Sequence, residues 1–436
     1  MQNQLKNHLK ILVVLPFYGG SLPIGRYCVA AFQNLGHTVE VFESPDFNAS
    51  YNGINKIQLG LAEKQYFEQQ YVNLVSRMVY AKVEASKPDL VFALAQAPMS
   101  ISILKRLRQD KIATAMWFVE DFRLFTYWRA FAPYYDFFAV IQKEPFLSEL
   151  EKIGVENALY LPLAALPSVH AKLKLNTEEQ NEYGSDLSFL GAGYPNRRVA
   201  FKRLLPFNFK IWGTEWGDDV FLKPLIQKNG ARISSEEAVK IYNATKINLN
   251  LHSSVQTQQL VSGGDFVNPR TFELAACSAF QLVDKRSLMS ELFAEDELAT
   301  FNNMDELVEK IKYFLDNPVE RNAYIERSLK RVLADHTYEQ RLNSFIDFVL
   351  ERNQTLKAKM EQTPVSILDQ LAELGGDKLS KELQAEVLDI CEKLALPLDV
   401  SFEDLILKIR AQAGKLNSVE SALLFLDEWK KQYQSR

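Results

Sequence analysis

Lys10-Ile11-Leu12-Val13-Val14-Leu15-Pro16-Phe17-Tyr18-Gly19-Gly20 is the stretch from which the fold can be read. Ile11 to Leu15 is apolar at every position, too short to cross a bilayer and with no small-residue cleavage site behind it. It therefore reads as a buried strand and not as a targeting signal. Pro16 ends it, since proline cannot donate to a strand ladder, and Gly19-Gly20 supply a loop. A helix over about 23–35 follows, closed by Gly36 as its C-cap glycine. Thr38 to Phe42 then gives a second strand. Strand, glycine loop, helix and strand together make a βαβ unit, the building block of a parallel sheet.

The same alternation continues outward. Leu90–Leu94, Ile112–Val119 and Phe137–Ile141 are apolar throughout, as expected of strands covered on both faces;. They complete a first Rossmann-like domain over residues 1–170, on the acceptor side. The polar segment from Ala171 to Ser185 reads as a linker. Strands then resume at Leu187–Leu190, Phe209–Trp212, Ile247–Leu251, Ala279–Val283 and Ala299–Phe301. Helices at Ser235–Asn243, Asp305–Leu315 and Val319–Leu333 separate some of them, giving a second Rossmann-like domain over 186–335. The expected class is α/β, with two doubly wound sheets facing a cleft and ligands held at the strands' carboxyl ends. A helix over 337–352 crosses back to the first domain. A helical tail over 363–436 follows, with breaks at Gly375-Gly376, Pro397 and Gly414. Its Ser401 and Asp404 form a capping box.

The chain has 436 residues, 47% hydrophobic and 24% charged, with a formal net charge of −5. A basic footprint for nucleic acid is missing, as is a Lys/Arg run for an anionic membrane. The three cysteines, Cys28, Cys277 and Cys391, are odd in number and far apart. They fit neither a disulfide framework nor a metal site, and a reducing cytoplasm is the expected location. No transmembrane segment, Asp-x-Asp metal motif, P-loop or Gly-x-Ser-x-Gly elbow occurs.

Chemistry concentrates in Asp265-Phe266-Val267-Asn268-Pro269-Arg270-Thr271-Phe272-Glu273-Leu274-Ala275-Ala276-Cys277. Asn268 is a good N-cap and Pro269 suits the first helical position. Arg270 then falls in the first turn, where the positive end of the helix dipole repels a cation. An anion bound there reverses that penalty, because backbone N–H groups and a guanidinium together suit a diphosphate. Glu273, three residues on, can accept from a ribose diol. A surface i,i+3 ion pair is the alternative, worth about 0.2–0.5 kcal/mol.

The run Phe272 to Ser278, followed by a strand, resembles the donor helix of GT-B glycosyltransferases. In the retaining enzymes of that fold, acidic residues eight positions apart flank the motif. Asp265 and Glu273 match those positions, which implies contacts to donor sugar and nucleotide ribose. Asp265 stands where Glu is usual, and Ser278 where Gly is usual. A closer resemblance is to the spore-maturation-protein (CgeB-like) glycosyltransferases. It is carried by Asn268-Pro269-Arg270-Thr271-Phe272-Glu273, His336-Thr337-Tyr338-Glu339-Gln340-Arg341, Leu187 to Gly191, Asn196-Arg197-Arg198 and Ile211-Trp212-Gly213. It covers about residues 10 to 350.

The resemblance implies metal-independent transfer of sugar from a nucleotide-diphosphate sugar to a hydroxyl of a protein or cell-surface glycan, with no cofactor beyond that co-substrate. Donor-side candidates are Gly19, Gly191, Arg197, Arg198, His252, Asp265, Asn268, Arg270, Thr271 and Glu273. For Gly19 plain turn duty is the competing reading, for Arg197 and Arg198 an exposed helix that favours cations, and for His252 a side chain that merely satisfies a loop. Arg270 would also stabilise the departing diphosphate. Asp121 or Glu120, just past a strand end, would serve as general base if the reaction inverts, with helix capping the alternative for Asp121. The aromatics from Phe122 to Tyr135 suit a core or a sugar-stacking surface, and His336 reads as structural. Competing functions are a sugar-nucleotide epimerase, a phosphorylase-like enzyme, or a non-catalytic sugar-binding or assembly module with the tail docking a partner or second copy.

Overall fold

The computed structural model describes residues 8–217, 219–261, 264–361, 365–375 and 378–434. The predicted break at Gly376 and the outer ends of the spans 1–170 and 363–436 lie outside them. The chain divides into two compact units, one of residues 10–83 and 88–349, the other holding 350–436 with residues up to Leu9 and 84–87.

In the larger unit the described residues form two parallel sheets. The first joins β1 (Lys10–Val14), β2 (Thr38–Phe42), β3 (Leu90–Leu94), β4 (Ala113–Phe118), β5 (Phe137–Val140) and β6 (Ala158–Tyr160) in the order β2-β1-β3-β4-β5-β6. The second joins β7 (Ser185–Leu190), β8 (Phe209–Trp212), β9 (Thr245–Asn250), β10 (Gln281–Asp284) and β11 (Ala299–Phe301) in the order β11-β10-β9-β7-β8. Both halves wind alike. The second strand lies outside the first, and the third pairs with the first on its other side: Ile11 faces Val39 and Leu90, and Leu187 faces Phe209 and Ile247. Direction reverses between β1 and β3, and again between β7 and β9, so a crevice opens at the carboxyl end of each pair.

Strands β1, β3, β4 and β5 are buried at every position, which is why they read as unbroken apolar runs;. Two features differ from the sequence reading. Strand β6 was not expected, because three half-buried residues at a sheet edge leave no periodic signal. The presumed linker contains a helix, Thr177–Tyr183, with a full capping box between Asn176 and Glu179;. Its one large buried side chain, Tyr183, packs on Trp212 at 5.7 Å between ring centroids.

Helix Tyr338–Arg352 packs on the first sheet through Phe345 against Phe92 (5.5 Å) and Phe348 against Phe137 (6.2 Å). The two connections between the halves run side by side, with Ala165 and Thr337 bridged. The smaller unit is helical, over Gln354–Glu361, Ile367–Gly375, Lys381–Lys393, Phe402–Ala411 and Ser418–Gln434. Ile367, Val387, Ile390, Leu405 and Ile409 centre its core. The Ser401 hydroxyl caps Phe402–Ala411 by accepting from the Asp404 N–H at 3.1 Å.

Candidate functional site

Helix Pro269–Ala276 begins as its residue types require. Asn268 has extended backbone, and its Oδ1 accepts from the Thr271 N–H at 3.1 Å;. Behind the cap lies a buried polar lattice. Asn268 Nδ2 donates to Asn250 Oδ1 (2.7 Å), Asn250 Nδ2 to Thr271 Oγ1 (2.9 Å), and Gln281 Nε2 to the Thr271 carbonyl (2.8 Å). The Asn268 N–H donates to His252 Nε2 at 3.0 Å, while His252 Nδ1 lies 2.7 Å from Asp284 Oδ1. Because Nε2 accepts, the ring proton sits on Nδ1 and points at the carboxylate. Burial holds the His252 pKa below its ordinary value, so the ring stays neutral;. An Asp284–His252–Asn268 relay thereby fixes the first turn of the helix.

That turn opens on a cavity of about 490 Å³ between the carboxyl ends of the two sheets. Gly19, Pro23, Tyr27 and His170 line one wall, and Gly191, Arg197, Tyr242, Asn268, Arg270 and Glu273 the other. Arg270 Nη1 donates to Glu273 Oε2 at 3.0 Å, and its guanidinium lies 4.9 Å over the Tyr242 ring. The i,i+3 pair is therefore present, but it faces the cavity: the Glu273 side chain is 10% exposed and that of Arg270 25%. Glu273 Oε1 keeps acceptor capacity, with His170 Nε2 at 3.9 Å. His170 Nδ1 accepts the Leu166 N–H, so its Nε2 carries the proton aimed at Glu273;. Burial lowers the His170 pKa against the pull of Glu273.

The first turn of the helix offers fewer free donors than the sequence reading supposed. Pro269 has no N–H, and that of Thr271 is taken by Asn268, which leaves the Arg270 N–H without an acceptor among the described residues;.

Of the other predicted donor residues, Gly19, Gly191 and Arg197 reach the cavity. Gly19 has φ +97°, a conformation that favours glycine, and its carbonyl accepts from Arg232 at 2.6 Å;. Gly191 spends its N–H on the Trp212 carbonyl and its carbonyl on Trp216 Nε1. Arg197 is fully packed, and its guanidinium clasps the carbonyls of Leu251 and Ala192 at 2.7–2.9 Å. Burial lowers its pKa to about 10, leaving it cationic near neutrality.

Arg198, His252, Asp265 and Thr271 do not line the cavity. Arg198 holds the Gly193 carbonyl, and Thr271 and His252 sit inside the lattice and relay. Asp265 turns the other way. Its Oδ1 accepts from Gln142 Nε2 of the first half at 2.8 Å, and its buried Oδ2 has no hydrogen-bond partner among the described residues, with Arg123 Nη1 4.0 Å off. The residue stitches the halves together beside the cleft.

Of the two carboxylates past β4, Asp121 is a turn residue, accepting the Arg123 N–H at 2.9 Å;. Glu120 is different. Its Oε1 accepts from Ser21 Oγ and Gln96 Nε2, both at 3.1 Å, and burial raises its pKa to about 7. Neither carboxylate lines the cavity; burial raises the pKa of the cavity residue Tyr194 in the opposite half, and the Glu120 charge adds a smaller push in the same direction. Beyond it Phe122, Phe146 and Trp128 stack within 4.5–6.4 Å as core. His336 is structural, its Nε2 2.6 Å from the Leu292 carbonyl.

Sequence reasoning missed Tyr27, His170, Arg232 and Tyr242 in the cavity wall. It also missed Asp284 and Arg286. The Arg286 guanidinium fills the space a side chain on Gly264 would need, 1.8 Å from such a Cβ. None of these carries a local motif. Among the described residues no cluster of three or more His, Cys, Asp or Glu side chains is placed to hold a metal ion, and no helix is long and apolar enough to cross a membrane.

Residues 197–347 match the family of glycosyl transferase-like proteins. Over 281 residues, 59% of this chain and 82% of the relative, the sequence is 26% identical to spore protein CgeB of Bacillus subtilis. Sucrose-phosphate synthase from Thermosynechococcus elongatus superposes with a TM-score of 0.55 at 13% identity, covering 80% of this chain and 100% of that one. A glycosyltransferase from Rickettsia africae gives 0.53 at 14%, over 79% and 98%. Anabaena HepE in complex with UDP and glucose gives 0.51 at 11%, over 78% and 100%. At such identities the structural likeness speaks to the fold, which is GT-B.

Proposed function

From the premise that this chain is a GT-B glycosyltransferase related to spore protein CgeB, we propose that it moves a sugar from a nucleotide-diphosphate sugar to a hydroxyl acceptor, with the donor in the cavity before helix Pro269–Ala276. The observation that carries this is the junction of Arg270, Glu273 and a helix N-terminus on one wall of a cavity shared by both halves. The diphosphate takes the Arg270 guanidinium and N–H, aided by the dipole. Glu273 Oε1 takes the ribose diol, with His170 beside it. Anabaena HepE, of like fold, is known in complex with UDP and glucose, which supports a nucleotide ligand on this fold.

As the glycosidic bond to the diphosphate breaks, charge grows on the leaving oxygens, and Arg270 stabilises it there. The reading assigns that charge to the chain's own cation and to no metal. Glu120 receives the acceptor proton, since a carboxyl with pKa about 7 is half ionised at working pH;. The acceptor hydroxyl belongs to a protein or glycan of the cell surface, modified in the cytoplasm. The three cysteines, all buried thiols, suit a reducing compartment.

A thermal-shift screen across UDP-, GDP-, dTDP- and CMP-sugars tests the donor site. One class should raise the melting temperature, and Arg270→Ala and Glu273→Ala should each weaken its binding about 10- to 100-fold, the loss of one charge-assisted contact. Full affinity in both variants, with the fold intact, sinks the assignment.

A further inference from the structure

His170 stands where the first connection between the halves meets the cavity. Its backbone N–H donates to the Leu166 carbonyl at 2.7 Å, and its Nδ1 accepts the Leu166 N–H at 3.0 Å. The neighbouring Ala165 is tied to the second connection: its N–H donates to the His336 carbonyl (3.0 Å), and its carbonyl accepts from the Tyr338 N–H (2.9 Å). The ring lies edge-on to Tyr27 of the first half, 4.9 Å between centroids. Main chain, Nδ1 and ring face are thereby fixed. What remains is the Nε2–H, 3.9 Å from Glu273 Oε1.

The two oxygens of Glu273 have unlike settings. Oε2 accepts from Arg270 Nη1 at 3.0 Å and from the Tyr242 hydroxyl at 3.4 Å, both on the second half. Among the described residues no donor comes within hydrogen-bonding distance of Oε1. Tyr27, next to it, spends its proton on Ser235 Oγ at 2.8 Å. The Glu273 side chain is only 10% exposed, and it lines the cavity. A desolvated carboxylate oxygen without a partner is costly, and the cavity is the side from which a ligand's donors can reach it.

We infer that His170 is a positioning residue for the donor: from the connection between the halves its N–H orients Glu273 Oε1, and the site thereby selects a ribonucleotide over its 2′-deoxy counterpart. The inference rests on the transferase reading and names the class of nucleotide that its site takes. The terminal torsion of a glutamate is soft, so the carboxylate turns unless something holds it. A diphosphate that draws on the Arg270 guanidinium weakens the hold on Oε2. The His170 ring, kept neutral by burial, is then the partner left to steady the carboxylate. Against a steadied Oε1 a ribose brings two hydroxyl donors. A 2′-deoxyribose brings one and leaves a buried anion short of a partner. A site built to bind a hydroxyl rejects the analogue without it, because its own polar group goes unpaired.

His170 also closes the turn at Leu166, and two substitutions separate that duty from positioning. His170→Asn keeps an acceptor near the place of Nδ1 but has nothing at the place of Nε2. His170→Gln does the reverse, its amide reaching the place of Nε2. Calorimetric titration of the full chain with UDP, GDP, CDP and ADP, and with their 2′-deoxy forms, gives the readout. For the base that binds, the 2′-deoxy form should bind about 10- to 100-fold more weakly, the loss of one charge-assisted contact. His170→Asn should shrink that ratio to about threefold, the size of a weak neutral contact, with little change in melting temperature. His170→Gln should keep the ratio while the melting temperature falls. Equal affinity of the unaltered chain for both sugars, a ratio that persists in His170→Asn, or one lost in His170→Gln overturns this inference and leaves nucleotide binding standing. A chain that binds none of the diphosphates overturns the transferase reading, and this inference with it.

Discussion

Past β9 and β10 the second half packs Asn250, His252, Asp284, Asn268, Thr271 and Gln281 into a hydrogen-bonded lattice that is almost wholly buried. In the first half the loops past β4 and β5 instead hold the stacked rings Phe122, Trp128 and Phe146, with the half-buried acid Glu120 just past β4. The first five strands of each half follow the same order, so the difference between these regions lies in what the loops carry. Dipoles that must meet a charged diphosphate are useful only if they do not reorganise, and a closed polar lattice supplies that stiffness.

The sharpest way to break the contrast is to cut the relay. His252→Ala should cost about 3–5 kcal/mol in denaturant unfolding, because Asp284 is left buried with its main partner removed;. A cost near that of an ordinary surface change would show the lattice to be incidental. The next effect belongs to Glu120. Its folded pKa of about 7 exceeds the ordinary glutamate value of 4.5, so the folded state holds a proton that the unfolded chain has lost. Stability should therefore fall as pH rises from about 4.5 to 7, by up to roughly 2–3 kcal/mol, and level off above. Glu120→Gln should flatten that slope and also abolish the rise in transfer rate through neutral pH; stability and pH–rate profiles on one variant separate the two roles.

Gly193→Ala should cost about 1–3 kcal/mol, since its Cβ would stand 2.5 Å from the Glu215 carbonyl oxygen beside the donor cavity;. Donor affinity should drop along with stability, as calorimetric titration would reveal. The smallest effect is expected in the aromatic layer. Phe122→Leu should cost under about 1.5 kcal/mol and leave nucleotide-sugar affinity unchanged, because adaptable packing and no fixed dipole is altered;. A donor effect as large as that of Gly193→Ala would erase the distinction between the halves.

Much of the site was legible where chemistry is local. Asn268-Pro269 announces a helix start whatever surrounds it, and Arg270 in a first turn draws attention because it opposes the dipole. In the structure Asn268, Arg270 and Glu273 all line the cavity. Asp265 could not be placed in this way: with no regular element around it, its direction is set by Gln142, 123 positions earlier. For His252 the sequence marks a strand end at the cleft, yet both ring nitrogens are committed inward, to Asp284 and to the Asn268 N–H.

Most of the strands and helices, the two halves and the cap of helix Pro269–Ala276 follow from the sequence alone, because periodicity, glycine, proline and capping chemistry act over a few residues. Which polar side chains face the cavity, the pairing of Glu120 with Ser21 and Gln96, and the approach of His170 to Glu273 were decided only by tertiary structure. Those contacts join residues that strand order and sheet twist bring together from far along the chain, and no local preference encodes such a meeting.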